Sequence, residues 1–173
     1  MKPSAPALRN SVPMRVVGDT CGLARKDQYA YWLESVGGQA AHWNAERKNP
    51  AAGFRGRSHH ARIGAILIWE NHNDPYRIWR SPTRSPDSSG EWLYLASSNV
   101  EAFATGETKR RFAPNELVFI DTRRPVTLSN SRYARTRYLA IPRSALPASI
   151  GATLFPSLDT ITPSRPLGRM IHS

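Results

Sequence analysis

The pattern of apolar and polar positions predicts one helix followed by a series of short strands. Within residues 25–36, apolar side chains recur at i, i+3, i+4 and i+7 and form one helical face: Tyr29, Trp32, Leu33 and Val36. Beyond this segment, runs of β-branched and aromatic residues alternate with turn signals at intervals of about 8–12 residues. This order favours an all-β sandwich or barrel over alternating strands and helices.

The clearest strand unit spans residues 106–128. A strand ends at Phe112, and Pro114 with Asn115 forms a tight turn, because proline fixes φ and asparagine accepts a positive φ at low cost. The apolar run at 117–120 is typical of a buried strand. Other strands are predicted in these segments: 39–48, 65–72, 76–81, 92–98, 100–105, 126–128 and 136–141.

Composition divides the chain into three parts. Residues 1–22 are rich in proline, serine and alanine without periodicity, which predicts a disordered tail. Residues 23–150 form one β domain, a size that can bury a real core. Residues 151–173 carry several prolines and are predicted to hold a partial helical segment after the β domain.

The net charge raises a nucleic-acid hypothesis. The chain has 24 basic and 13 acidic residues, a formal charge of +11 and a pI near 10.6. Much of the excess of basic over acidic residues lies within residues 106–143. A basic β-barrel that associates non-specifically with nucleic acid is therefore one alternative. The other alternative is that the arginines only form a solvated surface.

The chain is predicted to be cytoplasmic and to have no membrane partner. No apolar run approaches the ~20 residues that span a bilayer, and the first residues lack an apolar signal core. Cys21 is the one cysteine in the sequence, which excludes an internal disulfide and a cysteine-based zinc cluster.

Several segments match one family in order. Taken together they resemble the N-terminal regulatory domain of AraC-type transcriptional regulators: GFRGR (53–57), RIGAIL (62–67), YRIWR (76–80), WLYLAS (92–97), FAPNELVFIDTRRPVTL (112–128), LAIPRSAL (139–146) and PLGRMI (166–171). The resemblance implies a mainly β fold, a cupin-like small β-barrel or jelly-roll with an N-terminal helix and the start of a C-terminal helix.

The resemblance also implies a role. Such domains bind a small-molecule effector, whose identity the sequence does not reveal, or serve for dimerisation, so a homodimer is possible. DNA would be contacted only through a helix-turn-helix domain that is absent from these residues. We therefore expect a sensor or dimerisation domain from a truncated or stand-alone regulator.

The histidines do not follow the metal-binding pattern of cupin enzymes. The chain has no His-x-His, and Val126 holds the position of the later histidine ligand. His59 and His60 should point to opposite faces of a strand, and the remaining histidines lie in separate segments: His42, His72 and His172. We therefore expect no metal and no cofactor. The sequence also lacks a nucleophile motif, so we expect no enzyme and no catalytic residue; a metal-independent cupin enzyme is the alternative.

A ligand pocket is the sharper hypothesis for the β domain. Arg80 ends an otherwise apolar strand, where a charge should be paired or functional. Trp92 and Tyr94 share a face of the next strand and could supply an apolar wall and a hydroxyl. The three are predicted ligand-binding residues. The competing interpretation is that Arg80 pairs with Asp121 or Glu116 and that the two aromatic residues fill the core.

Overall fold

Two antiparallel sheets face each other, and one helix packs beside them, in the computed structural model of this chain. The structure describes residues 13–37, 43–80, 92–105, 109–148 and 159–160. The elements in chain order are β1 (Arg15–Asp19), α1 (Arg25–Gly37), β2 (Asn44–Arg47), β3 (Gly56–Ile63), β4 (Ile66–Asn73), β5 (Tyr76–Arg80), β6 (Trp92–Ser98), β7 (Ala102–Thr105), β8 (Lys109–Phe112), β9 (Val118–Asp121), β10 (Val126–Asn130), β11 (Ala134–Pro142), a 3₁₀ turn (Arg143–Ala145) and β12 (Asp159–Thr160).

The strands fall into a larger and a smaller sheet. The seven-stranded sheet has the order β1-β3-β4-β11-β6-β9-β12, and the five-stranded sheet has the order β2-β5-β10-β7-β8. The predicted mainly β, cupin-like fold with an N-terminal helix is confirmed. Of the predicted small β-barrel or jelly-roll, the barrel is not closed, because the described strands form two separate sheets rather than one continuous ladder.

The β3–β4 hairpin separates an inner from an outer face. Gly64 turns the chain with φ at +57°, a conformation that glycine adopts without strain, and Ile63 then pairs with Ile66. Along β4, buried and half-buried residues alternate without exception. The buried set contains Leu67 and Trp69, so every second side chain points between the sheets and the others point outward.

Helix α1 packs through the face that its spacing predicts. Trp32 and Val36 are buried, and Tyr29 and Leu33 pack against the same core cluster. The ring of Trp32 lies 4.9 Å from that of Phe54, measured between centroids. The helix therefore covers one side of the space between the sheets.

The unit at 106–128 adopts the predicted turn. Asn115 has φ at +64°, the one positive φ of a non-glycine residue in the described part of the chain. The Glu116 carboxylate accepts a hydrogen bond from the Ala113 N–H at 2.9 Å, which closes the turn. Val118 and Ile120 of β9 are buried, as expected for a core strand.

One prediction about organisation is wrong, and two strands were not predicted. Residues 15–19 do not belong to a tail; they form β1, which pairs with β3, a partner too distant in sequence for local periodicity to reveal. Within 151–173, Asp159–Thr160 forms a strand on β9, and the predicted helix lies outside the described residues. Strand β3 was not predicted, because polar Ser58 and His60 occupy its buried face. No described helix is long and apolar enough to cross a membrane.

Candidate functional site

The space between the sheets contains a cavity beside α1, here called the helix-side cavity. Its volume is about 50 Å³, and it receives residues from the helix and from both sheets: Trp32, Leu33, Val36, Trp43, Ala45, Trp69, Asn71, Tyr76 and Ile78. Most of the large side chains that line it are aromatic, and Asn71 contributes the one amide among them. The lining, apolar with a few placed polar groups, has the chemistry of small-ligand sites, while the volume is well below the roughly 300–1,000 Å³ of pockets for drug-sized ligands.

A second cavity continues the same interior and is called the tyrosine cavity. It also measures about 50 Å³ and is lined by both sheets: Tyr76, Ser98, Ala102, Leu128, Ser129, Asn130, Thr136 and Tyr138. The hydroxyls of Tyr76 and Tyr138 lie 3.4 Å apart. Burial raises the pKa of both phenols, so each stays a neutral hydrogen-bonding group at physiological pH.

A third cavity, the Glu116 cavity, lies towards β8 and β9. It shares Leu128, Thr136 and Tyr138 with the tyrosine cavity and adds the carboxylate of Glu116. The described residues that line the other two cavities carry no charged side chain. The interior is thus neutral near the helix and acidic at one distant end.

A hydrogen-bonded network fixes the polar wall of the helix-side cavity. The Oδ1 of Asn71 accepts hydrogen bonds from the hydroxyl of Ser58 and from the indole N–H of Trp69, each at 2.7 Å. Among the described residues, the indole Nε1 of Trp32 is buried without a hydrogen-bond partner. This edge of the ring is packed against Gly56 of β3, where an added Cβ would lie 2.7 Å from Nε1.

His60 points inward from β3, as its position opposite His59 predicts. Its ring packs at 4.5 Å from that of Trp69, between centroids. Burial and, to a smaller extent, the neighbouring His59 lower the pKa of His60 to about 4. His60 is therefore a neutral core residue at physiological pH.

The structure does not bring the three predicted ligand residues together at one cavity wall. Tyr94 is buried and packs edge-on against Trp43 at 5.9 Å and near Tyr138 at 6.4 Å, so it supports two residues that line the cavities. Trp92 is half-buried against the core. Arg80 lies on the smaller sheet, opposite Val126. None of the three lines the cavities described above, and ligand binding by them stays a prediction.

A buried ion-pair cluster joins β9 to the 3₁₀ turn. Asp121 is fully buried, accepts hydrogen bonds from the Arg123 guanidinium and main chain, and pairs with buried Arg143. Burial acts to raise the pKa of Asp121, but the hydrogen bonds from the two arginines outweigh it and lower the pKa. These contacts stabilise the turn at 121–125. The charges of the cluster pair with one another.

A polar cluster lies on the outer face of the larger sheet, and it is called the outer cluster: His59, Glu70 and His72. One potential ligand atom from each residue lies within 4.8 Å of the others. Glu70 Oε1 is 2.7 Å from His72 Nε2, while Arg135 and Arg137 each donate to Oε2 at 2.8 Å.

The environment of Glu70 keeps its carboxylate ionised. Its side chain is 13% exposed. Burial acts to raise the pKa of Glu70, but the hydrogen bonds from Arg135, Arg137 and His72 lower it to about 2. The outer cluster therefore contains a permanent carboxylate at physiological pH.

The outer cluster was missed because His72 was assigned to an unrelated segment, which is wrong. The hairpin pairs His59 with Glu70, and the rings of His59 and His72 lie 5.9 Å apart between centroids. The signal was present in the sequence: Gly64 and Ala65 separate two runs of strand residues, and a two-residue hairpin turn fixes which residues are opposite.

Comparison with known proteins gives a match in structure only. No family model matches the sequence, and no curated protein matches it. The AraC-like transcriptional activator CuxR superposes with a TM-score of 0.59 at 13% identity, over 78% of this chain and 48% of that one. The chain shares its fold with this activator. The predicted resemblance to an AraC-type regulatory domain is thereby confirmed for the fold.

The likeness covers only part of the activator. The chain spans about half the length of CuxR. A cupin superfamily protein from Desulfitobacterium hafniense is also similar, with a TM-score of 0.37 at 15% identity, over 57% of this chain and 83% of that one.

Proposed function

We propose that this chain is a small-molecule sensing domain of an AraC-type transcriptional regulator, and that its effector binds between the two sheets. The observation that carries the proposal is the helix-side cavity, which α1 and both sheets line with aromatic rings and the amide of Asn71.

The lining favours an uncharged effector. The helix-side and tyrosine cavities offer aromatic faces, the amide of Asn71 and the hydroxyls of Tyr76 and Tyr138 among their described residues. A charged group placed there would lose its hydration without gaining an opposite charge. Because the two cavities share Tyr76, one ligand could extend along both.

The proposal assigns binding and not catalysis to the interior. The described cavity walls offer no nucleophile next to a base and its orienting partner, which is the arrangement that covalent catalysis needs. In this proposal the protein is cytoplasmic, a homodimer transmits the bound state, and DNA is contacted by a separate domain of the regulator.

Tryptophan fluorescence tests the binding site. A panel of uncharged metabolites is titrated into the protein, and intrinsic emission and thermal unfolding are followed together. Trp43 is half-buried and lines the helix-side cavity, so Trp43→Ala should weaken binding about tenfold, the equivalent of about 1.4 kcal/mol for lost aromatic contact.

Trp79 supplies the matched control. It is also half-buried, but it lies on β5 outside the helix-side cavity, beside Arg77. Trp79→Ala should leave the affinity unchanged. Equal losses in the two variants, or a panel without any binder, would contradict an effector site in this cavity.

A further inference from the structure

The outer cluster has the composition of a transition-metal site. It places two imidazoles and one carboxylate on neighbouring strands, with ligand atoms within 4.8 Å of one another. The ring Nδ1 of His59 is buried and has no hydrogen-bond partner among the described residues. A neutral imidazole nitrogen without a partner is available as a ligand.

We propose that His59, Glu70 and His72 bind one Zn²⁺ ion on the outer face of the larger sheet. Two imidazole nitrogens and a carboxylate oxygen form a ligand set that suits zinc, and three protein ligands leave a fourth position for water. The proposal is independent of the effector site, since these side chains point away from the cavities.

The required movement is small. Zinc bonds of about 2.0–2.2 Å in a tetrahedron place ligand atoms roughly 3.4 Å apart. The outer cluster brackets this value, because the pair Glu70 and His72 is at 2.7 Å and the whole set lies within 4.8 Å. The remaining adjustment is of the size that rotation about side-chain bonds of half-buried residues can supply.

The two arginines have a defined part in this arrangement. Arg135 and Arg137 hold Oε2 of Glu70 from β11 and leave Oε1 directed at His72. Metal-bound carboxylates are commonly oriented by such outer hydrogen bonds. The two positive charges also repel the ion, so the affinity should lie below that of a site without them.

The alternation of β3 and β4 separates this site from the interior. His59 lies between buried Ser58 and His60, and Glu70 and His72 flank buried Asn71. An interior ligand and an outer ion would therefore contact opposite faces of the same hairpin.

Metal titration of the full chain, prepared without a polyhistidine tag and freed of metal by a chelator, tests the proposal. Co²⁺ is added and its visible absorption recorded, then Zn²⁺ is added as competitor. We expect one ion per chain, a rise of the unfolding temperature with zinc, and displacement of Co²⁺ by Zn²⁺.

Single variants identify the ligands. His59→Gln and His72→Gln should each lower the zinc affinity on the order of a hundredfold. His172→Gln removes a histidine from a distant part of the sequence and should leave the affinity unchanged. Unfolding of each metal-free variant is measured separately, so that a folding defect is not taken for a lost ligand.

Three results would overturn the proposal. The first is that neither Co²⁺ nor Zn²⁺ binds when one equivalent of the ion is added per chain. The second is an affinity that falls equally in His172→Gln. The third is stabilisation by inorganic phosphate without any by zinc, which would assign the outer cluster and its arginines to an anion.

Discussion

Asp121 has no exposed surface, yet it carries a negative charge in contact with two arginines. An ionised carboxylate is tolerated inside a protein only where paired cations and hydrogen bonds replace water. Here Arg123 comes from the same turn and Arg143 from the 3₁₀ turn. The charge cluster thus joins two segments that are distant in sequence.

The lowered pKa of Asp121 makes stability depend on pH in the acid range. The folded form holds its proton less tightly than the unfolded form, so this contribution is complete above the unfolded pKa of about 3.9 and is lost as the pH falls below it. Asp121→Asn should cost about 3–5 kcal/mol at neutral pH, because Arg143 loses its buried carboxylate partner. Urea unfolding at pH 7 and at acid pH measures both effects.

Asp19 is the control for that variant. It pairs with Arg57 at 3.3 Å, and both side chains are exposed. Asp19→Asn should change stability by less than about 1 kcal/mol, since surface pairs contribute little. Similar losses in the two variants would show that burial does not set the strength of the Asp121 cluster.

Asn115 tests the backbone of the 113–116 turn. With φ at +64°, an alanine at this position meets a steric cost of about 1–2 kcal/mol that asparagine reduces and glycine avoids. Asn115→Ala should therefore lower the free energy of unfolding by about 1 kcal/mol, while Asn115→Gly stays near the wild type. Urea unfolding would contradict this account if glycine proved the more damaging of the two.

The elements that could be predicted are those whose own side chains carry the pattern. Helix α1 shows its buried face in four apolar residues, and β6 has the predicted bounds of 92–98. Strands β1, β3 and β12 could not be found in this way. Two of them depend on partners far along the chain, and β3 buries polar residues, of which Ser58 donates its hydrogen bond to Asn71 on the neighbouring strand.

The candidate sites could likewise be predicted only in part from the sequence. The sequence indicated an aromatic interior, and the cavities are aromatic, but it could not select Trp32, Trp43 and Tyr76 over Trp92 because the facing sheet decides which rings border a cavity. The outer cluster could be found only from the register of the β3–β4 hairpin. That register was not recognised because the polar residues of β3 did not indicate a strand.

The contact between α1 and β3 depends on a missing side chain. A Cβ placed on Gly56 would lie 2.3 Å from Cδ1 of Trp32. Gly56→Ala should therefore displace the helix and cost about 1–3 kcal/mol, as over-packed cores do. In the Trp32→Leu background the same change should cost much less, and a double-mutant cycle of unfolding energies measures that coupling. Strictly additive losses would exclude this contact as the cause.

Across the whole molecule, much of the arginine excess is already engaged within the fold. Acidic partners contact these arginines: Arg55, Arg57, Arg111, Arg123, Arg135, Arg137 and Arg143. The net charge of the full sequence is still +11, because these pairs do not use up the excess of basic residues.

We expect only weak, salt-sensitive association with duplex DNA of random sequence. Binding measured by fluorescence anisotropy should be weak at low salt and disappear by about 150 mM, because the few phosphate contacts are screened at that ionic strength. A poly-anionic heparin column gives the matched measure of charge alone. Sequence-independent binding that persists at that salt would support the nucleic-acid alternative instead.

The two faces of β4 connect the proposed effector site with the proposed zinc site. Trp69 and Asn71 border the helix-side cavity. Glu70 and His72 alternate with them in sequence and belong to the outer cluster on the opposite face of the strand. An effector that shifted the inner pair would act on the outer pair through the backbone that they share. Thermodynamic reciprocity then requires that an ion on one side and an effector on the other change each other's affinity by the same factor.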